Sequence, residues 1–439
     1  MPSNVELIGL AKDLAKLEQD GNPVRLGLIG CGEMGTDIIS RVAHMDGVRV
    51  AAIAELNAEN AVHSVEIAYG DSDRCQLTSS AQAFNEAVDK NRIAITEDAE
   101  RVIDHPNVDV VIDATGIPSV GADVGLRAIN NHKHLVMMNV EADVAIGHYL
   151  RHEADKQGVV YSLGAGDEPS SCMELINFVS AMGHDIVCAG KGKNNPLNID
   201  AIPEQYAEEA AQRNMNPRML VEFIDGSKTM VEMVAIANAT GLVPDKPGMH
   251  GPGATLDSLA TTLVPQQDGG VLSQSGCVDY SVGKGVAPGV FVVADMSHAR
   301  IRERMTDLKL GDGPYYTFHR PFHLTSLEVP LTCARAVLYN TADMQPLKRP
   351  VADVCAVAKK DMAVGEHLDA IGEYCYRAWS MKYEEARAQN AAPCGLLYDA
   401  VVTAPIKKGE LITHDNVAVN TGNTIYDLRC RQDAMWSAS

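Results

Sequence analysis

Val24-Arg25-Leu26-Gly27-Leu28-Ile29-Gly30-Cys31-Gly32-Glu33-Met34-Gly35 is the stretch on which the reading of this chain turns. Val24 to Ile29 is apolar and β-prone, and it runs directly into Gly30-x-Gly32-x-x-Gly35. A helical pattern follows through Ile38, Ile39, Val42 and Met45. Strand, glycines and helix in that order are the context in which such a motif reads as a dinucleotide-binding turn. The first glycine permits a tight turn, the second lets a pyrophosphate reach the backbone, and the third lets helix and strand pack closely. The helix N-terminus offers free N–H groups to phosphate oxygens. Gly30, Gly32, Glu33, Met34 and Gly35 are therefore expected at a cofactor. The alternative is a glycine turn that merely closes a structural βα unit. A downstream acid weighs against it: Val48–Ala54 reads as a second strand ending in Glu55, about 20 residues past the last glycine, where a carboxylate holds ribose hydroxyls.

The rest of the chain bounds the function class. Its 439 residues imply two or three domains, and 46% hydrophobic with 22% charged residues is ordinary globular composition. A net charge of −21 argues against nucleic-acid binding and against an anionic membrane surface. An anionic substrate needs only a local basic pocket. No apolar run reaches the roughly 18–20 residues of a membrane span. Residues 5–18 read as an amphipathic helix without the pattern of a secretory signal. Ten scattered cysteines with no C-x-x-C predict a reducing, cytoplasmic setting without disulfides or a zinc knuckle.

Strands and helices alternate through residue 163, which predicts a parallel doubly wound sheet. Its central strand ends in Asp113-Ala114-Thr115-Gly116, and a later one in Met138-Asn139-Val140-Glu141. Ligands of such sheets bind at the carboxyl ends of the strands, so Thr115, Gly116, Asn139 and Glu141 join Glu55 as expected cofactor contacts. The character changes at Gly164-Ala165-Gly166-Asp167-Glu168-Pro169-Ser170-Ser171, which enters a helix over 171–182. The region that follows reads as α+β with a mostly antiparallel sheet, including strands over 278–282 and 289–295. The last hundred residues carry a weak repeat: Lys359-Lys360 before Gly365-Glu366 resembles Lys407-Lys408 before Gly409-Glu410. The expected division is 1–163, 164–345 and 346–439.

Three clusters compete for the chemistry. Asp167 and Glu168, with Glu141 as a neighbour, could hold Mg²⁺ or Mn²⁺ through oxygen ligands. Against this, acids simply favour a helix N-terminus. Lys191-Gly192-Lys193-Asn194-Asn195 reverses the local charge of an acidic chain. It reads as phosphate or carboxylate capture, with Ser170 and Ser171 sharing the anion at a helix end. Lys228, His319, Arg320 and His323 form the third cluster: Arg320 as an anion clamp, Lys228 or a histidine as proton carrier.

The glycine turn, Asp113–Gly116 and Met138–Asp143 resemble homoserine-dehydrogenase-like oxidoreductases, and the K-K…G-E repeat resembles a SAF (antifreeze-like) domain. With Gly166–Ser171 and Lys191–Asn195 added, nearly the whole chain is similar to the 1-deoxy-D-xylulose 5-phosphate reductoisomerase-like enzymes. The resemblance implies a Rossmann domain, an α+β catalytic and dimerisation domain and a small β-rich SAF-like domain. It implies NADPH-dependent conversion of deoxyxylulose phosphate to 2-C-methyl-D-erythritol 4-phosphate for isoprenoid synthesis, a divalent metal, and a homodimer acting on a small phosphorylated sugar. Glu55 alone favours NAD, and Arg41, Asn57 or Arg74 could offset it for NADPH. The competing readings are a homoserine-dehydrogenase-like NAD(P) dehydrogenase of a semialdehyde or sugar acid, and a non-catalytic dinucleotide sensor.

Overall fold

The apolar run before the glycines forms the first strand, β1 (Val24–Ile29), flanked by an N-terminal helix α1 (Gly9–Gln19). The computed structural model describes residues 6–213 and 215–436; Val5, the expected start of that first helix, lies outside them. The chain divides into two compact units. One runs to Asp167 and takes back Leu324–Gln345; the other is Glu168–His323 together with the chain from Pro346 onward.

In the first unit β1 leads through α2 (Glu33–Val42) to β2 (Val48–Ala54). There follow α3 (Ala58–Tyr69), β3 (Cys75–Leu77), α4 (Ala81–Asp89), β4 (Ile93–Thr96), α5 (Ala99–Asp104) and β5 (Val110–Asp113). The unit continues with α6 (Pro118–Asn130), β6 (His134–Met137), α7 (Val140–Gln157) and β7 (Tyr161–Leu163). The seven strands form one sheet in the order β3-β4-β2-β1-β5-β6-β7. Every pairing is parallel. This is the expected doubly wound α/β architecture. β3 lies at the edge of the sheet, directly after the polar stretch 70–74. The helix α7 begins at Val140 because Asn139 caps it by accepting from the Ala142 N–H at 3.1 Å. The strands bury Leu26, Leu28, Ile53, Ile112 and Val136. Val329, Cys333 and Ala334 of the helix Val329–Tyr339 join the same core, which is why that segment leaves the expected middle domain.

The second unit opens with α8 (Glu168–Ala181) and β8 (Asp185–Gly192). It continues through α9 (Ala207–Gln212), α10 (Pro217–Ile224), α11 (Ser227–Thr240), β9 (Val243–Pro244), β10 (Cys277–Ser281), β11 (Val290–Asp295) and β12 (Tyr315–Arg320). Its sheet runs β12-β11-β8-β10-β9 and is mixed, not mostly antiparallel as expected. β11 is antiparallel to β8 and β12, whereas β10 is parallel to β8 and β9. The reason is the crossover: β8 reaches β10 through a long connection containing α11, the kind of link a parallel pair needs. β13 (Ala352–Ala358) and β14 (Tyr376–Lys382) pair antiparallel, as do β15 (Val401–Val402) and β16 (Val417–Ala418). The two K-K…G-E turns meet through an antiparallel bridge between Met362 and Ile406. Each turn is closed the same way: the glycine has φ near +88° or +85°, and the glutamate accepts a backbone N–H three residues back, Ala363 to Glu366 and Lys407 to Glu410. This module shares a unit with residues 168–323. The Ala378 N–H donates to Ser227 Oγ at 2.9 Å, and buried Lys359 pairs with Asp225 at 3.1 Å.

Among the described residues no helix is long and apolar enough to cross a membrane. All ten cysteines are free, and only Cys430 is exposed.

Candidate functional site

In the first unit the three glycines divide their work as the motif requires. Gly30 has φ +90°, and a Cβ there would lie 2.9 Å from the Ala114 carbonyl oxygen, so the turn presses on the end of β5. A Cβ on Gly35 would lie 2.5 Å from the Gly30 carbonyl oxygen, so only glycine lets α2 pack on the turn. A Cβ on Gly32 would meet nothing within 4 Å. The middle glycine therefore keeps open the space into which a pyrophosphate can approach α2. Gly32 is also the N-cap of α2, with Glu33 exposed in its first turn and Met34 half-buried.

Glu55 bridges the end of β2 to this turn. It accepts the Cys31 N–H at 2.7 Å and the Asn57 N–H at 3.2 Å. The Cys31 thiol is buried and pushed up to about 11, so it is not a nucleophile. At the ends of β5 and β6 a buried network forms. Asp113 accepts the Thr115 N–H at 3.0 Å, the Thr115 hydroxyl at 2.6 Å and Asn139 Nδ2 at 3.1 Å. Burial pushes the Asp113 carboxyl up while these donors hold it down. Asn139, expected to touch the cofactor, is fully buried and gives its second Nδ2 bond to the Ile117 carbonyl at 2.9 Å. Its place is to fix the start of α6 behind the sheet edge. Thr115 is half-buried and Gly116 exposed at that edge.

In the second unit α8, β8 and α11 converge on one ammonium. Lys191, near the end of β8, is 5% exposed, and its Nζ donates to Glu168 Oε1 at 2.7 Å and to Glu232 Oε2. Burial opposes its charge, but the two facing carboxylates outweigh burial and raise its pKa. Glu232 is fully buried on α11, and among the described residues its other oxygen, Oε1, has no hydrogen-bond partner. Burial and the charge of Glu168 push Glu232 up to about 7. His323 Nε2 approaches Glu168 Oε1 at 3.5 Å. Lys228 stands one helical turn before Glu232 on α11, and its charge pulls the Glu232 carboxyl down. The result is a dry constellation of acid, ammonium, acid and imidazole, with a carboxyl poised to exchange a proton near neutrality.

Several expected residues take other places. Lys191 is held by two acids, so it is not a free anion receptor. Lys193 donates to the Asn195 carbonyl at 2.7 Å and the Phe223 carbonyl at 2.6 Å, and burial with the charge of Lys191 lowers it to about 8. Asn194 is exposed. Helix α8 begins at Glu168, so Ser170 and Ser171 sit inside its first turn, both buried, and not at an open helix end. Ser171 Oγ accepts from Arg320 Nη1 at 2.8 Å, and the same nitrogen reaches Glu174 at 3.0 Å. The expected anion clamp is therefore engaged with α8, with its guanidinium also over the Phe322 ring. His319 Nε2 lies 3.0 Å from the Val286 carbonyl, away from the lysine cluster. Glu141 stands in the first turn of α7 and is not part of the Glu168–His323 donor group. Asp167 immediately precedes Glu168, where the chain passes from one unit to the other.

The sequence reading did not assign Glu232. Its signal was present: a single acid in Met230-Val231-Glu232-Met233-Val234-Ala235-Ile236, on a helix buried all round. A carboxylate in such a run needs a buried partner.

Comparison with known proteins places these features. Residues 166–329 match the catalytic domain of oxidoreductase DRL. Residues 30–163 match the NAD binding domain of homoserine dehydrogenase. No curated protein matches the chain. Among solved structures, a "probable dehydrogenase" from Thermotoga maritima is 14% identical, covering 73% of this chain and 90% of that one at a TM-score of 0.41. DOX-P reductoisomerase in complex with magnesium is 16% identical over 48% and 56% of the two chains, at 0.34. Myo-inositol dehydrogenase from Lactobacillus casei, in complex with NAD(H) and myo-inositol, is 14% identical over 46% and 53%, at 0.28. These likenesses are distant, and none bears on what this chain does. The two domain matches make it an oxidoreductase that binds a nicotinamide dinucleotide.

Proposed function

We propose that the chain is an NADPH-dependent reductoisomerase that converts 1-deoxy-D-xylulose 5-phosphate to 2-C-methyl-D-erythritol 4-phosphate, as a homodimer. The observation that carries this reading is Lys191 held between Glu168 and Glu232, inside the segment that matches the oxidoreductase DRL catalytic domain. The reaction rearranges a carbon skeleton to an aldehyde and then reduces it: substrate, NADPH and a proton give product and NADP⁺. The rearrangement takes a proton from one hydroxyl oxygen and returns one to another. Lys191 stays protonated and serves as the donor that polarises a substrate oxygen. Glu232, with a pKa of about 7, gives and takes the proton. His323 backs Glu168 and keeps its carboxylate turned to Lys191. Glu168 and His323, with Asp167 the preceding residue, would hold Mg²⁺ or Mn²⁺ through carboxylates and imidazole; such an ion, when bound, would supply Lewis-acid polarisation of substrate oxygens. An ion on Glu168 has to share that carboxylate with Lys191.

The test is NADPH oxidation by purified, folded protein with deoxyxylulose phosphate, in Mn²⁺ and in chelator. Turnover to methylerythritol phosphate supports the reading, and its absence in both conditions rejects it.

One observation favours a second reading, a simple NAD-linked dehydrogenase of a semialdehyde or sugar acid. The Glu55 carboxylate sits against the glycine turn, bonded to the Cys31 N–H, where it repels a 2′-phosphate. That enzyme prefers NADH and is indifferent to chelator.

A further inference from the structure

One face of β14 lines a cavity of about 270 Å³ in the second unit, outside the Lys191 cluster. Residues two apart on a strand share a face, so Arg377, Trp379 and Met381 point the same way. Val357 lies directly opposite Arg377 on β13, and Leu411 bridges to Val357. The opposite face of β14 packs on α11 through Ala378 and Ser380, which fixes the strand. The Trp379 ring is held from above by the backbone at Gly248: a Cβ there would lie 2.1 Å from the indole.

Three cations line the cavity, and two of them are paired. Lys359 lines the cavity but is paired with Asp225 at 3.1 Å and also donates to the Glu373 carbonyl. Lys408 is paired with Asp200 at 2.9 Å. Among the described residues no carboxylate or other acceptor hydrogen-bonds the Arg377 guanidinium, although the charges of Asp225 and Asp200, each already paired with a lysine, act on it from farther off; its contact is the Trp379 ring, 4.6 Å from the centroid. It is half-buried, and burial lowers its pKa. A partly desolvated guanidinium with its fork unused offers two parallel N–H donors to an anion. Because the other two cations are neutralised, the cavity carries one unmatched positive charge.

We propose that this cavity is a second small-molecule site, which takes an organic monocarboxylate: the carboxylate on Arg377 and an apolar body against Trp379, Met381, Val357 and Leu411. A monoanion balances the cavity, whereas a phosphate dianion overfills it. The apolar walls exclude a bare inorganic ion as the best occupant.

The chain has two tryptophans, so replacing Trp436 by Phe leaves Trp379 as the sole reporter. The experiment titrates the full-length Trp436→Phe protein with phenylacetate, phenylacetamide and inorganic phosphate, reading Trp379 fluorescence. The expected result is a saturable change with phenylacetate at about millimolar concentration. The neutral amide should bind about tenfold more weakly or worse, since it forfeits the charge-assisted fork. Arg377→Met should abolish the carboxylate preference, with folding checked by thermal melting. Should that variant not fold, Arg377→Lys replaces it, and weaker carboxylate binding is expected from the lost bidentate geometry. Phosphate should not displace phenylacetate. Equal binding of acid and amide overturns the proposal, as does unaltered binding in a folded Arg377 variant. So does full displacement by phosphate, or no saturable response to phenylacetate up to about 10 mM.

Discussion

Lys191 Nζ lies 2.7 Å from Glu168 Oε1 while its other side meets the fully buried Glu232. One cation thus neutralises two acids that come from α8 and α11. Removing that cation leaves the acids facing each other in a dry site. Lys191→Gln should cost about 3–5 kcal/mol in urea unfolding, the range for breaking a buried ion pair. The same variant should gain a larger Mn²⁺-dependent rise in melting temperature than the wild type, because a divalent ion can replace the missing charge. Equal metal responses in the two proteins would show that Glu168 and Glu232 do not form the cation-balancing pair.

Glu232→Gln keeps shape and removes the proton exchanger. The expected loss in kcat is about 10²–10⁴-fold, the usual share of a general acid–base. The wild-type rate profile should show a limb near pH 7 that this variant lacks, following the Glu232 carboxyl raised to about 7. Steady-state kinetics from acid to alkaline pH checks both. A limb that survives in the variant assigns it to another group.

The glycine turn allows a paired test. Gly32→Ala places a Cβ where the protein has nothing within 4 Å, so the melting temperature should hold while NAD(P)H binding weakens about tenfold or more. Gly35→Ala puts its Cβ 2.5 Å from the Gly30 carbonyl oxygen and should destabilise the fold by about 1–3 kcal/mol. Calorimetric titration with the cofactor and thermal melting separate the two effects. The reverse pattern would mean that the open side of the turn is not the cofactor side.

Glu55→Ser removes the carboxylate that accepts the Cys31 N–H. The ratio of kcat/KM for NADPH over NADH should rise about tenfold, since a carboxylate at the ribose edge repels a 2′-phosphate. An unchanged ratio would place the ribose elsewhere.

Asp143 is buried on α7, and the Tyr161 hydroxyl donates to it at 2.6 Å. Burial raises its carboxyl from 3.8 to about 7 against that hydrogen bond. The folded chain therefore keeps a proton that the unfolded chain releases. The associated stability is fully present below pH 3.8 and is lost as pH rises to about 7. Its size is at most about 4 kcal/mol by the pKa difference. Asp143→Asn should flatten the fall in melting temperature between those pH values. A slope equal to the wild type's would assign the pH dependence to other groups.

Local chemistry made the cofactor half readable. The roles of Gly30, Gly32 and Gly35 depend on neighbours a few residues away, and Glu55 follows at a spacing set by one βα turn. The parallel sheet followed from alternating strand and helix patterns. The second unit was less legible. Its sheet is mixed because β8 and β10 are joined by a long crossover, which no strand pattern reveals. Lys191 and Lys193 read as anion receptors from their local charge, but their partners come from far along the chain. Glu168 is 23 residues away and Glu232 is 41, while the Phe223 carbonyl that holds Lys193 is 30.

The sequence by itself determined the strand, turn and helix that bind a dinucleotide, because glycine backbone freedom and apolar periodicity act over short range. Only the tertiary structure decided what the lysines do. The fate of a buried charge depends on which opposite charge the fold brings to it, and at Lys191 the fold brings two carboxylates and withholds water.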